Sequence, residues 1–102
     1  MALSLAQKVK QKMPHSPLAA NTLGWAYYKL GSFGSAVSEL QESVKGAPNN
    51  AMFAFHLGIA YLADRQLDAA RRTLQKALQD DPRSPFAASI KETLAKITTS
   101  TR

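Results

Sequence analysis

Apolar residues recur at steps of three and four along most of the chain, which predicts helices with one buried face. Between 17 and 30 the stripe is Ala20, Leu23, Gly24, Tyr27 and Leu30. Between 33 and 45 it is Phe33, Ala36, Val37, Leu40 and Val44. A second pair of helices is expected over 51–63 and 67–79, the latter running through Leu67, Ala70, Leu74, Ala77 and Leu78. The residues between the stripes suit helix ends. Ser16 is a good N-cap with Pro17 at the first helical position. Gly31 can adopt the left-handed conformation that closes a helix, and Gly46-Ala47-Pro48 stops the next one. Asn50 caps 51–63, Asp64-Arg65-Gln66 turns the chain, and Asp81-Pro82 ends 67–79. An earlier helix over 3–13 carries Leu3, Leu5, Ala6, Val9 and Met13. Ser84-Pro85 opens a last helix over 85–97, and the polar tail 98–102 is expected to fray.

The stripes are copies of one another. Leu23 and Leu57 are 34 apart, as are Gly24 and Gly58, Tyr27 and Tyr61, Ala36 and Ala70, Leu40 and Leu74, and Pro48 and Pro82. The same step backwards from Ala36 and Pro48 reaches Ala2 and Pro14. A fixed period of this length is the mark of a repeat architecture. It divides the chain into two whole units, 17–50 and 51–84, after the second helix of a partial unit, 1–16, and before a capping helix, 85–102.

The small residues have a packing reason. Gly24, Ala36, Gly58 and Ala70 fall where the two helices of a hairpin would cross. A larger side chain there would push the axes beyond the usual separation of about 8–10 Å. Glycine inside a helix costs about 1 kcal/mol relative to alanine, so its return at the same place implies that close approach offsets the loss.

These residues resemble a known family. Leu23-Gly24-Trp25-Ala26-Tyr27 and Leu57-Gly58-Ile59-Ala60-Tyr61 are similar to the first-helix signature of the tetratricopeptide repeat. Ala36, Leu40 and Pro48, then Ala70, Leu74, Ala77 and Pro82, match the rest of its pattern. The resemblance implies an all-α, right-handed solenoid of about six antiparallel helices. One position departs: where the family often has Trp, three residues before Leu-Gly, Ala20 and Ala54 stand, which thins the packing inside each hairpin. The strings NTLGWAYYKLG and FHLGIAYL are similar to bacterial repeat proteins of envelope, exopolysaccharide or protein-sorting systems. The phase of the repeat implies a fragment of a longer protein.

The family's first helices line a concave face that holds peptides, and the resemblance places that face beside the Leu-Gly-Tyr stripe. It carries Leu18, Asn21, Trp25, Tyr28 and Lys29, then Met52, Phe55, His56, Ile59 and Leu62, then Phe86, Ser89, Ile90 and Thr93. The expected partner-binding set is Asn21, Trp25, Tyr28, Lys29, Met52, Phe55, His56, Ile59 and Phe86, with Met52, Ile59 and Ile90 also suited to packing between helices. Contiguous exposed apolar surface marks binding sites, and Trp and Tyr dominate hot spots. One branch of the family grips acidic C-terminal tails with Lys, Asn and Arg. At the matching places this chain has Asn21, Trp25, His56, Phe86 and Ile90, so such a clamp is not expected.

Composition narrows the chemistry. In 102 residues there is no Cys, and His15 and His56 are the two histidines, too few for a zinc site of the usual kind. His15 reads as a solvated loop residue, and His56 reads as a hydrogen-bonding residue of the groove, of a type that can titrate near neutral pH. No apolar run reaches the roughly 18 residues of a membrane span. Residues 1–17, interrupted by Gln and Lys, do not read as a secretory leader. Gly31-Ser32-Phe33-Gly34 lacks the Gly-Lys-Ser/Thr of a phosphate loop, and no Ser–His spacing suggests a nucleophile and its base. No enzyme activity, cofactor, metal or small-molecule substrate is therefore expected. The net charge of +6 allows an acidic partner. Lys8, Lys10 and Lys12 cluster early, and Arg71, Arg72 and Lys76 lie on one helix, where Asp68 and Arg72 are spaced to pair.

Two function classes follow. One is an interaction module that holds a peptide in the aromatic-lined groove. The other is a structural segment whose main contact is with further repeats or with itself. Nucleic-acid binding through the basic faces is a distant third, because the aromatics and the charges occupy different sides. The helix 3–13 lacks a first-helix partner, and Leu3, Leu5, Ala6, Val9 and Met13 would then seek cover, with a homodimer as the simplest closed solution.

Overall fold

A computed structural model describes residues 2–100, and among them the secondary structure is six α-helices. They are α1 (Ala2–Lys12), α2 (Pro17–Lys29), α3 (Phe33–Gly46), α4 (Ala51–Ala63), α5 (Leu67–Asp80) and α6 (Ala87–Ser100). Successive helices pack as antiparallel neighbours joined by short turns, and the array is elongated, 41 × 26 × 18 Å. The expected spans hold within a residue or two except at the last helix. There Pro85 and Phe86 form a turn, and α6 starts at Ala87 and runs on to Ser100 instead of fraying. Thr101 and Arg102 lie outside the described residues.

The helix starts repeat at the same step. Ser16 Oγ accepts from Ala19 N at 3.2 Å, Asn50 Oδ1 from Phe53 N at 3.0 Å, and Ser84 Oγ from Phe86 N at 3.2 Å. Each side chain satisfies a donor that the first turn leaves without an intrahelical partner. The hairpin turns repeat too. Ser32 N donates to Tyr27 O and Gln66 N to Tyr61 O, both at 2.9 Å, and the residues before them, Gly31 and Arg65, are left-handed with φ of 81° and 63°. This closes the first helices by Schellman-type bonds, with glycine in one unit and a strained arginine in the other.

The core lies along the hairpin crossings. Leu40, Leu74, Ala36 and Ala70 are fully buried. A Cβ added to Gly24 would lie 2.6 Å from Leu40 Cγ, and one added to Gly58 would lie 2.5 Å from Leu74 Cδ2. The glycines are therefore where the leucines of the second helices sit. Beside Ala54 a cavity of about 130 Å³ opens between Leu57, Val44, Pro48 and Ala77.

Three expectations need correction. Leu30, expected on the buried stripe, is 62% exposed at the end of α2. Tyr61 is buried but Tyr27, at the same repeat position, is only half-buried. The second helix preceding Tyr27 offers Ala6 where α3 offers Leu40, so less apolar surface covers the ring. The hydroxyl contacts show the same loosening: Gln41 Nε2 donates to Tyr61 at 2.7 Å, whereas Gln7 Nε2 reaches Tyr27 at 3.4 Å. On α5, Asp68 pairs with Arg71 at 2.9 Å, three residues on, and not with Arg72.

Candidate functional site

The first helices α2, α4 and α6 lie side by side, and aromatic rings form a row from the start of α3 across α2 and α4 to the turn before α6. Phe33, at the start of α3, touches Tyr28 with centroids 5.7 Å apart. Tyr28 stacks on Trp25 at 4.6 Å, and Trp25 stacks on His56 of α4 at 4.0 Å, both pairs nearly parallel. Phe55 meets His56 at 6.3 Å and Phe86 at 5.9 Å. The spacing of three between Trp25 and Tyr28 puts both rings on one side of α2, and helix-to-helix packing sets His56 against them. Near-parallel, offset rings at these separations contribute about 0.5–1.5 kcal/mol per pair beyond area burial.

The row includes a part-buried polar bond. His56 Nδ1–H donates to Asn21 Oδ1 at 2.9 Å, tying α4 to α2. Asn21 is buried, so its side chain serves His56 and not the open surface expected for it. Burial also holds the His56 imidazole below the ordinary histidine range, because the interior disfavours the charged ring. The imidazole is therefore neutral at pH 7.

Past Tyr28 the row opens into a cavity of about 380 Å³. Its walls are Tyr28, Ile59, Leu62, Ala63, Thr93 and Lys96, all from first helices. Tyr28 belongs to both features. Lys29 is exposed close by in sequence, whereas Met52 is half-buried at the start of α4. Ile90, expected to fill space between helices, is fully buried. Leu62, Ala63, Thr93 and Lys96 are absent from the expected binding set, although Leu62 and Thr93 lie on the stripe that carries it. The period could have found Lys96, because Tyr28, Leu62 and Lys96 stand at one repeat position, as do Trp25, Ile59 and Thr93.

Three basic residues of the second helices, Lys10, Arg71 and Lys76, are engaged in ion pairs. Arg71 pairs with Asp68 and Lys76 with Asp80 on the helix surface. Lys10 reaches Glu39 at 3.1 Å and Glu42 at 3.2 Å across the α1–α3 junction. Burial alone would lower the Lys10 pKa, but the two carboxylates outweigh it and hold the ammonium above its usual value. Among the described residues no group of three or more acidic or histidine side chains could hold a metal ion. No helix among them is long and apolar enough to cross a membrane.

The family model for the tetratricopeptide repeat matches residues 21–85. The chain belongs to the tetratricopeptide repeat family. Solved structures of the family show the same architecture. The first such domain of Spaghetti (RPAP3), bound to the HSP90 peptide SRMEEVD, has a TM-score of 0.86 at 20% identity, over 97% of this chain and 76% of that one. The TPR2B domain of yeast Sti1, in its pHsp70 complex, has a TM-score of 0.90 at 20% identity, over 97% of this chain and 82% of that one. The second such domain of human RPAP3, in complex with the HSP70 peptide SGPTIEEVD, has a TM-score of 0.80 at 16% identity, over 94% of this chain and 78% of that one. At these identities the likeness is one of fold. No curated protein matches the sequence.

Proposed function

We propose that this tetratricopeptide repeat chain is a protein-interaction module that holds a peptide segment along its first-helix groove. The observation that carries the reading is the open cavity beside Tyr28, where Ile59 and Leu62 present apolar surface to solvent. A core stripe on the same helices is already filled by Leu23, Leu57 and Tyr61; Tyr28, Phe55, Leu62 and Phe86 of the second stripe pack against that core with one side and remain partly exposed on the other. Trp25, Tyr28, Phe55 and His56 form one wall, and Phe86 extends it to the last helix. Trp25 has Tyr28 and His56 stacked on it, so it shapes the groove while Tyr28, Ile59 and Leu62 meet the ligand.

The related domains named above are bound to HSP90 and HSP70 peptides. In this chain Trp25, Phe86 and Ile90 occupy three of the five places expected for a basic clamp, and Asn21 and His56 at the other two bond to each other, which favours a segment recognised by apolar side chains over one recognised by a terminal carboxylate. Basic side chains on α5 that already pair with Asp68 and Asp80 favour a protein ligand over nucleic acid.

Panning a random peptide library against the native chain supplies the probe. Amide chemical shifts in a titration with the selected peptide should move at Tyr28, Ile59, Leu62 and Thr93. Thr93→Phe, which fills the cavity from a partly exposed helix position, should weaken binding by about tenfold. Shifts confined to Arg71, Arg72 and Lys76, with steep salt dependence, would overturn the reading in favour of an electrostatic convex surface.

A further inference from the structure

The cavity of about 130 Å³ beside Ala54 lies between the two whole repeats and shares no lining residue with the groove cavity. It opens near the start of α4, whereas the cavity beside Tyr28 lies near the end of that helix. Val44 and Pro48 line it from the first unit, and Ala54, Leu57 and Ala77 from the second. Ala54, Leu57 and Ala77 are buried and Val44 is half-buried, so its base is apolar. The other lining residues are Thr73, Lys76 and Asp80, all on α5.

The preceding unit fills the corresponding place with its own chain. One step of 34 earlier, Lys10 stands in place of Val44, and Glu39 and Glu42 stand in place of Thr73 and Lys76. At that junction the Lys10 side chain crosses to both carboxylates, at 3.1 and 3.2 Å, and is only 17% exposed. Its apolar stem therefore covers the surface between α1 and α3. Val44 stops at its γ carbons, and the cavity opens where the Lys10 stem lies one repeat before. The space is thus shaped for an apolar group that this junction does not supply itself.

Charge at the mouth decides the kind of guest. Lys76 Nζ bonds Asp80 Oδ2 at 2.6 Å, four residues along α5, so the two charges that line the cavity neutralise each other. An anion drawn to Lys76 would meet Asp80, and a cation drawn to Asp80 would meet Lys76. A neutral apolar group meets neither penalty. Size sets the other limit, because an apolar cavity of about 150 Å³ holds one benzene ring.

We infer that the cavity beside Ala54 is a second ligand site, which takes a small neutral apolar molecule of about one aromatic ring between the two repeats. The ligand touches Val44 and Pro48 on one unit and Leu57 and Ala77 on the other, so it bridges them. Because the site exists only when the repeats are stacked, binding stabilises the folded array by mass action. The site stands apart from the groove and does not depend on what the groove holds.

The test uses the whole chain and three ring compounds of similar size. Toluene, benzoate and benzylamine are neutral, anionic and cationic at pH 7. In amide chemical-shift titrations toluene should move Leu57, Thr73 and Ala77, and it should raise the melting temperature. Benzoate and benzylamine should bind at least about tenfold more weakly, because each brings a charge to a site with no net countercharge. Ala54→Leu fills the cavity from its base, and Val44→Met restores most of the length of the Lys10 stem without its charge. Each should abolish the toluene shifts while keeping a cooperative melt, and either one alone suffices if the other unfolds the chain. The groove variant Thr93→Phe should leave toluene binding unchanged. No toluene shifts up to its solubility limit, equal binding of the charged rings, or toluene binding that survives both substitutions overturns the inference. Shifts confined to Tyr28, Ile59 and Leu62, and lost in Thr93→Phe, would assign the ring to the groove cavity and overturn it as well.

Discussion

Trp25 and His56 belong to neighbouring first helices, and their rings stack with centroids 4.0 Å apart. The contact joins two repeats through the floor of the groove, and its imidazole is kept neutral by burial. The folded-state pKa lies below the unfolded value, so neutral His56 supports folding above about pH 6.5. That support is lost as pH falls through the lowered folded pKa. The urea midpoint should therefore drop on acidification from pH 7 to pH 5, and the fluorescence of Trp25, the one tryptophan, should change over the same range. His56→Phe keeps a ring against Trp25 and should flatten that part of the pH dependence. An unchanged slope in this variant would place the titration elsewhere.

Two glycines should respond to alanine in opposite directions. At Gly58 a Cβ would meet Leu74 side-chain carbons at 2.5 and 2.6 Å, and Leu74 is fully buried. Gly58→Ala should destabilise by about 1–3 kcal/mol through overpacking, despite the better helix propensity of alanine. Gly34 lies early in α3, and a Cβ added there would have nothing within 4 Å. Gly34→Ala should stabilise by about 0.5–1 kcal/mol. Paired denaturation curves check both.

The left-handed turn residues give a second opposed pair. Arg65 holds φ 63° where the preceding unit has Gly31 at φ 81°. Arg65→Gly should relieve about 1 kcal/mol of backbone strain, less what glycine loses in chain entropy, so the melting temperature should rise slightly. Gly31→Ala should lower it, although no neighbouring atom would be struck.

The cavity of about 130 Å³ beside Ala54 should accept a larger side chain. Ala54→Leu is expected to add about 0.5–2 kcal/mol, the usual gain from filling a cavity. A loss of stability on thermal denaturation would mean that Pro48 and Val44 cannot shift to admit it.

Helix number, helix ends and repeat phase were legible from residues close together in the chain. Ser16, Asn50 and Ser84 cap their turns, and Gly24 and Gly58 sit under Leu40 and Leu74, because capping and crossing depend on local residue type and a fixed period. The aromatic face was legible as a stripe but not as a site. Periodicity assigns a residue to a face, yet it does not say which rings meet across two helices.

That second kind of fact was decided by tertiary packing. Crossing angle and rotamer bring His56 onto Trp25 and bond it to buried Asn21, over a separation of 35 residues. The same packing gives Lys10 to Glu39 and Glu42, leaves Tyr27 less covered than Tyr61, and opens the cavity that Lys96 borders. The sequence by itself determined the repeat, because every unit encodes the same local pattern. Only the tertiary structure decided the contacts between units, because those depend on residues that differ from one repeat to the next.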